Sequence, residues 1–172
     1  MMPIKSLKKR ISINGTLIVQ NESGFIGEMG FEWNDPANDY DITKFEQKNN
    51  IILPKEFKEF LRTSNGAVLF KDLKYGQWGC RILGLDDLIA ISNEVTTWGL
   101  ELKPEWLVFA TWYGDCDILI FDLHKCNLDD KNYIIDGSQG DREKDWINIR
   151  GGFSKWIDRL IVAQGAKYWR WY

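Results

Sequence analysis

The chain holds a single histidine, His124, among 172 residues, and that scarcity removes most familiar catalytic and metal-binding arrangements. Imidazole is the usual general base near neutral pH and the commonest metal ligand, so an enzyme of this sequence would have to rely on carboxylates. Cysteine is nearly as sparse. Cys80, Cys116 and Cys126 form no C-x-x-C pair, and their odd number argues against a secreted disulfide framework and for a reducing compartment. Long apolar runs are also missing, none approaching the roughly 20 residues that span a bilayer. The opening MMPIKSLKKR is basic like a signal peptide, but ISINGTLIVQ behind it is broken by Asn14-Gly15 and offers no apolar run. A cytoplasmic protein without membrane contact is expected. A formal charge of −3 is too mild, and of the wrong sign, for direct nucleic-acid binding by the chain as a whole.

What is abundant is aromatic and aliphatic side chain. Hydrophobic residues make up 44% and aromatics 14%, with nine Trp and nine Phe, enough for one substantial core. The segment IILPKEFKEFLRTSNG reads as a helix: Pro54 suits its first turn, and Phe57, Phe60 and Leu61 recur at i, i+3, i+4. Ile52 is expected to staple onto Phe57, Glu56 to sit at the positive end of the helix dipole, and Gly66 to stop the helix. Asp41 is expected to cap a helix over residues 42–49, with Tyr40 stapled onto Phe45. Beyond Gly66, AVLF and CRILGL read as short strands leading to a helix over residues 85–93. Residues 107–112 and 117–123 suggest an antiparallel hairpin across Tyr113-Gly114-Asp115-Cys116. Both strands are apolar at successive positions, the mark of strands buried on two faces. Residues 133–136 suggest another strand, closed by DGSQGD. The last helix, residues 152–164, carries Phe153, Trp156, Ile157, Leu160 and Ile161 on one face and stops at Gly165. The fold expected is a single α+β domain with a central, mostly antiparallel sheet and helices packed at its N-terminal and C-terminal parts. Residues 1–38 read as an extension of short β structure, a short strand or hairpin with an Asn-Gly turn. Residues 39–165 form the domain and residues 166–172 an aromatic tail.

Little in the sequence asks for catalysis. Asp115-Cys116-Asp117 is a DxD element of the kind that can hold a divalent metal for phosphoester chemistry, yet Asp after Gly in a tight turn also serves the backbone. No Gly-rich phosphate loop accompanies it. His124, Cys126 and Cys116 lack the paired spacing of zinc sites, with His124 and Cys126 taken as lying along an extended segment. No serine stands in a nucleophile context. Catalytic residues, metal and cofactor are therefore all expected to be absent. Charge is more suggestive: from Asp115 to Asp145 there are nine acidic residues against four basic ones. These acids read either as solvated loop residues or as a surface that attracts a basic partner. On the second reading Asp115, Asp117, Asp129, Asp130 and Asp141 supply the field, and Trp112 and Tyr113 are apolar anchors. The terminal GAKYWRWY either packs back on the domain or adds exposed aromatic anchors.

Leu53-Pro54, Phe57, Phe60-Leu61 and Asn65-Gly66, followed by Leu83-Gly84 through Leu88, Phe109-Ala110, Gly114-Asp115, and Phe153 with Trp156, resemble the SUKH superfamily. That family includes bacterial immunity proteins and fungal regulators of cell-wall synthesis. The resemblance runs from about residue 42 to 161, and its most specific part is the LP-x-x-F-x-x-F-L-x-x-x-N-G helix. It implies an α+β fold and a non-catalytic role as a cytoplasmic antidote to a cognate toxin domain, often a nuclease. The alternative it allows is a regulatory or scaffolding module for a cell-envelope or signalling protein. The matched residues are framework residues, because the toxin-binding face varies within the family.

Overall fold

A computed structural model describes residues 2–20, 24–138, 140–141 and 143–171. In chain order the elements are α1 (Met2–Arg10), β1 (Thr16–Gln20), β2 (Ile26–Trp33), α2 (Asp39–Asn49), α3 (Lys55–Leu61), β3 (Ala67–Asp72), β4 (Cys80–Ile82) and α4 (Leu85–Thr96). There follow β5 (Trp106–Trp112), β6 (Asp117–Asp122), α5 (Leu123–Asn127), β7 (Ile134–Ser138), β8 (Ile147–Ile149) and α6 (Gly152–Val162), with short 3₁₀ turns at Glu143–Asp145 and Tyr168–Arg170. The strands form one eight-stranded antiparallel sheet in sequence order. This is the α+β domain the sequence implies, with helices toward both ends of the chain.

The opening of the chain differs from expectation. Residues 2–10 are helical, with Ile4 and Leu7 buried at i, i+3 and Lys8, Lys9 and Arg10 at the negative end of the helix dipole. One and a half periods of apolar residues are too few to declare a helix, and packing against α6 decides it. Asn14-Gly15 is not the hairpin turn. It joins α1 to β1, with Gly15 at φ +75, and the β1–β2 connection falls at residues 21–25, only partly within the described region.

The two central helices start differently from the sequence reading. Asn38, not Asp41, caps α2, its Oδ1 accepting the Asp41 N–H at 2.8 Å. The buried residues at the staple positions are therefore Ala37 and Ile42, while Tyr40 is 71% exposed. Pro54 is the N-cap of α3, one position earlier than expected, and Leu53 takes the inside position in place of Ile52. Phe57, Phe60 and Leu61 are buried as expected. Phe57 meets Phe121 at 5.0 Å and Phe153 at 5.2 Å, and Phe109 stacks on Phe121 at 3.9 Å and meets Trp156 edge-on at 5.3 Å. The centre of the core is thus an aromatic cluster drawn from α3, β5, β6 and α6. Such offset and edge-on pairs each add about 0.5–1.5 kcal/mol beyond their area.

Helix α3 ends at Leu61, so Gly66 does not stop it. Gly66 has φ +93, and a Cβ there would lie 2.9 Å from the Gly84 nitrogen; a Cβ on Gly84 would lie 2.4 Å from the Asn65 carbonyl oxygen. Asn65 Oδ1 accepts the Leu85 N–H at 2.9 Å and so caps α4, whose own N-cap, Gly84, has no side chain. The Asn65-Gly66 and Leu83-Gly84 pairs, read separately in the sequence, form one joint. The β5–β6 hairpin lies where the sequence placed it, with Gly114 at φ +81 in its turn. Every residue of β6 is buried, as expected for a strand covered on both faces. Strand β7 runs to Ser138, past the expected end at Asp136, so the first half of DGSQGD is strand; Gln139 lies outside the described residues.

Candidate partner-binding surface

The hairpin turn after β5 brings Trp112, Asp115 and Asp117 together, and the chain's own C-terminal segment covers them. Trp112 is 5% exposed and meets Trp169 edge-on at 5.7 Å. Asp115 Oδ1 accepts the Asp117 N–H at 3.0 Å, closing the turn, and its Oδ2 accepts from Lys167 Nζ at 2.7 Å. Lys167 also bonds Asp117, and its ammonium lies 4.9 Å from the Trp112 ring centre and 5.2 Å from that of Trp78. Arg170 Nη1 reaches Asp117 at 2.5 Å, while its Nε and Nη2 donate to the two oxygens of Asp136 at 2.5 and 2.8 Å. Trp169 Nε1 donates to Asp136 at 2.8 Å.

This network fixes the electrostatics of the turn. Burial alone would raise the Asp117 carboxyl, but the hydrogen bonds and charges of Lys167 and Arg170 outweigh it and hold Asp117 below the ordinary aspartate range. Arg170 is held above its ordinary value, chiefly by its hydrogen bond to Asp136. The Lys167 ammonium stands between the Asp115 and Asp117 carboxylates, the position a metal ion would need. Trp112 thus lies in the core, and Asp117 is a buried counter-ion. Trp169 covers Trp112, and Lys167 and Arg170, interspersed with aromatics in GAKYWRWY, hold Asp117. The tail packs back on the domain as far as Arg170; Trp171 remains 47% exposed, and Tyr172 lies outside the described residues.

The remaining sequence-nominated residues are scattered. Tyr113 is half-buried, donates its N–H to Gly79 at 2.9 Å, and has Lys71 Nζ 5.9 Å from its ring centre. Asp129 is exposed and paired with Lys131 at 2.6 Å, and Asp130 Oδ1 accepts the Asn132 N–H at 2.8 Å. Asp141 is exposed beyond β7. Asp117 pairs with Ser138 at one end of the β6–β7 ladder, whereas Asp129 and Asp130 follow α5 at the other. A six-residue strand separates them by roughly 20 Å. The acidic stretch is one block in sequence and two places in space. Asp122 is spent as well, capping α5 through the Lys125 N–H at 3.0 Å. His124 and Cys126 lie on that helix, not on an extended segment, and two residues apart on a helix do not face the same way. Among the described residues no three His, Cys, Asp or Glu side chains gather as a metal site.

A second region carries open surface. A groove of about 620 Å³ lies between the α2–α3 connection and α5, floored by Ile51, Pro104 and Leu123, with Glu46, Glu105 and His124 among its polar lining. Ile52 borders it with 60% of its surface exposed. Glu46 Oε1 accepts the Leu53 N–H at 2.7 Å and pairs with Lys58 at 3.0 Å, while no cation pairs with Glu105 among the described residues. Sequence reading missed this groove, because its walls come from residues 46–52, 104–105 and 123–127.

Comparison with known sequences is consistent with this framework. Residues 36–159 match the SMI1 / KNR4 family (SUKH-1). The chain is 32% identical over 139 residues to the uncharacterized protein YnaB of Bacillus subtilis (strain 168), covering 81% of this chain and 86% of YnaB. It is 27% identical over 172 residues to the uncharacterized protein YobM of the same organism, covering 98% of this chain and 89% of YobM. Among the described residues no helix is long and apolar enough to cross a membrane.

Proposed function

Because the chain belongs to the SMI1/KNR4 family (SUKH-1), we propose that it is an immunity protein that binds a cognate toxin domain in the cytoplasm and neutralises it without catalysis. The observation that carries this reading is the extent of the match, residues 36–159, which takes in the aromatic cluster of α3, β5, β6 and α6 and the joint between Asn65-Gly66 and Leu83-Gly84. Members of this family generally act as immunity proteins. Two features of the site support a binding role over a chemical one. The carboxylates of Asp115-Cys116-Asp117 are engaged by Lys167 and Arg170, and the hairpin that carries them is clamped by the tail. Rigid surfaces bind with little ordering cost, which suits an antidote that acts by covering an active surface.

Co-expression with each toxin domain encoded beside the gene tests the reading. Survival of the host together with a co-purifying complex is the expected result. Absence of both protection and complex for every adjacent candidate would reject the proposal. Recovery of a housekeeping envelope or signalling protein as a stoichiometric partner, with no toxin gene nearby, would favour the regulatory alternative.

A further inference from the structure

We propose that the groove between the α2–α3 connection and α5 receives a basic, apolar segment of the partner protein. That the partner is a toxin rests on the family reading above; the chemistry of the segment rests on the groove itself. Its floor is apolar, from Ile51, Pro104 and Leu123, and none of its lining residues is Lys or Arg. Two carboxylates, Glu46 and Glu105, face it, and Glu105 is the one without a cation among the described residues. Two helices also end there: α2 finishes at Asn49 with left-handed Asn50 as its cap, and α5 finishes at Asn127. Helix C-termini carry partial negative charge, so both endings reinforce the carboxylates. An arginine or lysine satisfies both features at once, its methylenes lying along the apolar floor while its head reaches Glu105.

Ile52 adds a second element of recognition. The residues on either side of it are held to α2, since Ile51 donates its N–H to the Glu46 carbonyl at 3.1 Å and Leu53 donates to the Glu46 carboxylate at 2.7 Å. Buried Pro54 follows at once and fixes the backbone entering α3. Ile52 is thus presented outward from a segment whose backbone is already ordered before any partner arrives. An acidic partner would meet two carboxylates and two helix C-termini, and a purely polar one would leave Ile52 and the floor in water.

The test uses the full chain, labelled with ¹⁵N and titrated with acetylated, amidated Leu-Arg-Leu-Lys-Leu, and separately with Leu-Glu-Leu-Glu-Leu. The basic peptide is expected to shift the amides of Gln47, Asn50, Ile52, Glu105 and His124, and the acidic peptide to leave them unmoved. Glu105→Lys should weaken the basic peptide about tenfold with an unchanged melting temperature, and Glu105→Gln should weaken it less. If Glu105→Lys proves unstable, Glu105→Gln and Ile52→Ser carry the same comparison. Equal responses to the two peptides, shifts confined to residues 128–141, or unaltered affinity in these variants would each overturn the inference. Peptide binding in the groove without protection from any toxin would leave the groove standing and remove the immunity reading. Protection without peptide binding there would do the reverse.

Discussion

Glu56 Oε2 accepts the backbone N–H of Ser154 at 2.9 Å, across 98 residues of sequence. The same oxygen accepts from the Tyr133 hydroxyl at 3.1 Å, and that hydroxyl in turn accepts the Phe153 N–H at 2.9 Å. Helix α6 begins at Gly152 behind Gly151, neither of which has a side chain to cap it, so α3 and the segment before β7 supply the cap. Burial raises the Tyr133 phenol well above its ordinary value and keeps its proton in place for donation.

Glu56→Ala is therefore expected to cost about 1–3 kcal/mol, because it orphans partly buried donors at a helix start. Urea unfolding should show a lower midpoint at unchanged slope. Glu56→Gln keeps an acceptor and should lose less than half as much.

That cap marks where sequence reading ends. The strands β3 to β7, the apolar faces of α3 and α6 and the β5–β6 turn were legible because each is set by periodicity or turn chemistry within a few residues. Glu56 was legible only as a charge at the start of its own helix, since nothing local records that it reaches Ser154. Asn65-Gly66 differs for the same reason: Gly66 reads locally as a helix stop, whereas in the fold it packs against Gly84. The clamp on the hairpin turn and the groove leave less trace in the sequence. Charge counts along a chain ignore which acids face one another, and Lys167 and Arg170 lie 50 and 34 residues from carboxylates they engage. The groove is assembled from three separated segments and leaves no pattern in any one of them.

The joint between the two Gly pairs is expected to tolerate no side chain. Gly84→Ala places a methyl 2.4 Å from the Asn65 carbonyl oxygen, a backbone atom that moves only by displacing the start of α4. A loss of about 2–3 kcal/mol is expected in thermal or urea unfolding. Asn65→Ala removes only the α4 cap and should cost about 1 kcal/mol. The double variant should fall short of the sum, since the two residues share one contact.

The clamp on the hairpin turn is expected to be acid-sensitive in a defined direction. Asp117 is held below its ordinary value in the folded protein, so its contribution is complete above the unfolded aspartate value of about 3.9 and is lost as pH falls through the folded value. Tryptophan fluorescence, to which Trp112 and Trp169 at the docked tail contribute, should hold down to about pH 4 and change below it. Lys167→Met leaves Asp117 buried with one cation fewer and is expected to cost about 3–5 kcal/mol. Because burial then counts for more, the fluorescence transition should move to higher pH. An unmoved transition would mean that Lys167 does not hold Asp117 ionised.

Charge reversal separates the two ends of the acidic stretch. Asp129 and Asp130 follow α5, while Asp141 lies past β7, roughly a strand length away. A partner that docks on the groove, whose lining includes Asn127 at the end of α5, lies nearer the first pair than the third. Asp129→Lys with Asp130→Lys is therefore expected to slow association with the proposed partner several-fold and to flatten its dependence on salt, with little change in dissociation rate. Asp141→Lys should leave both rates near wild type. Trp112→Ala supplies the contrast, since a core indole truncated to a methyl costs about 3–5 kcal/mol of stability, while the fraction still folded should bind as before. Stopped-flow association at two salt concentrations, read beside unfolding midpoints for each variant, distinguishes these outcomes. Slowing by Asp141→Lys equal to that of the pair would place the partner on the hairpin end and away from α5.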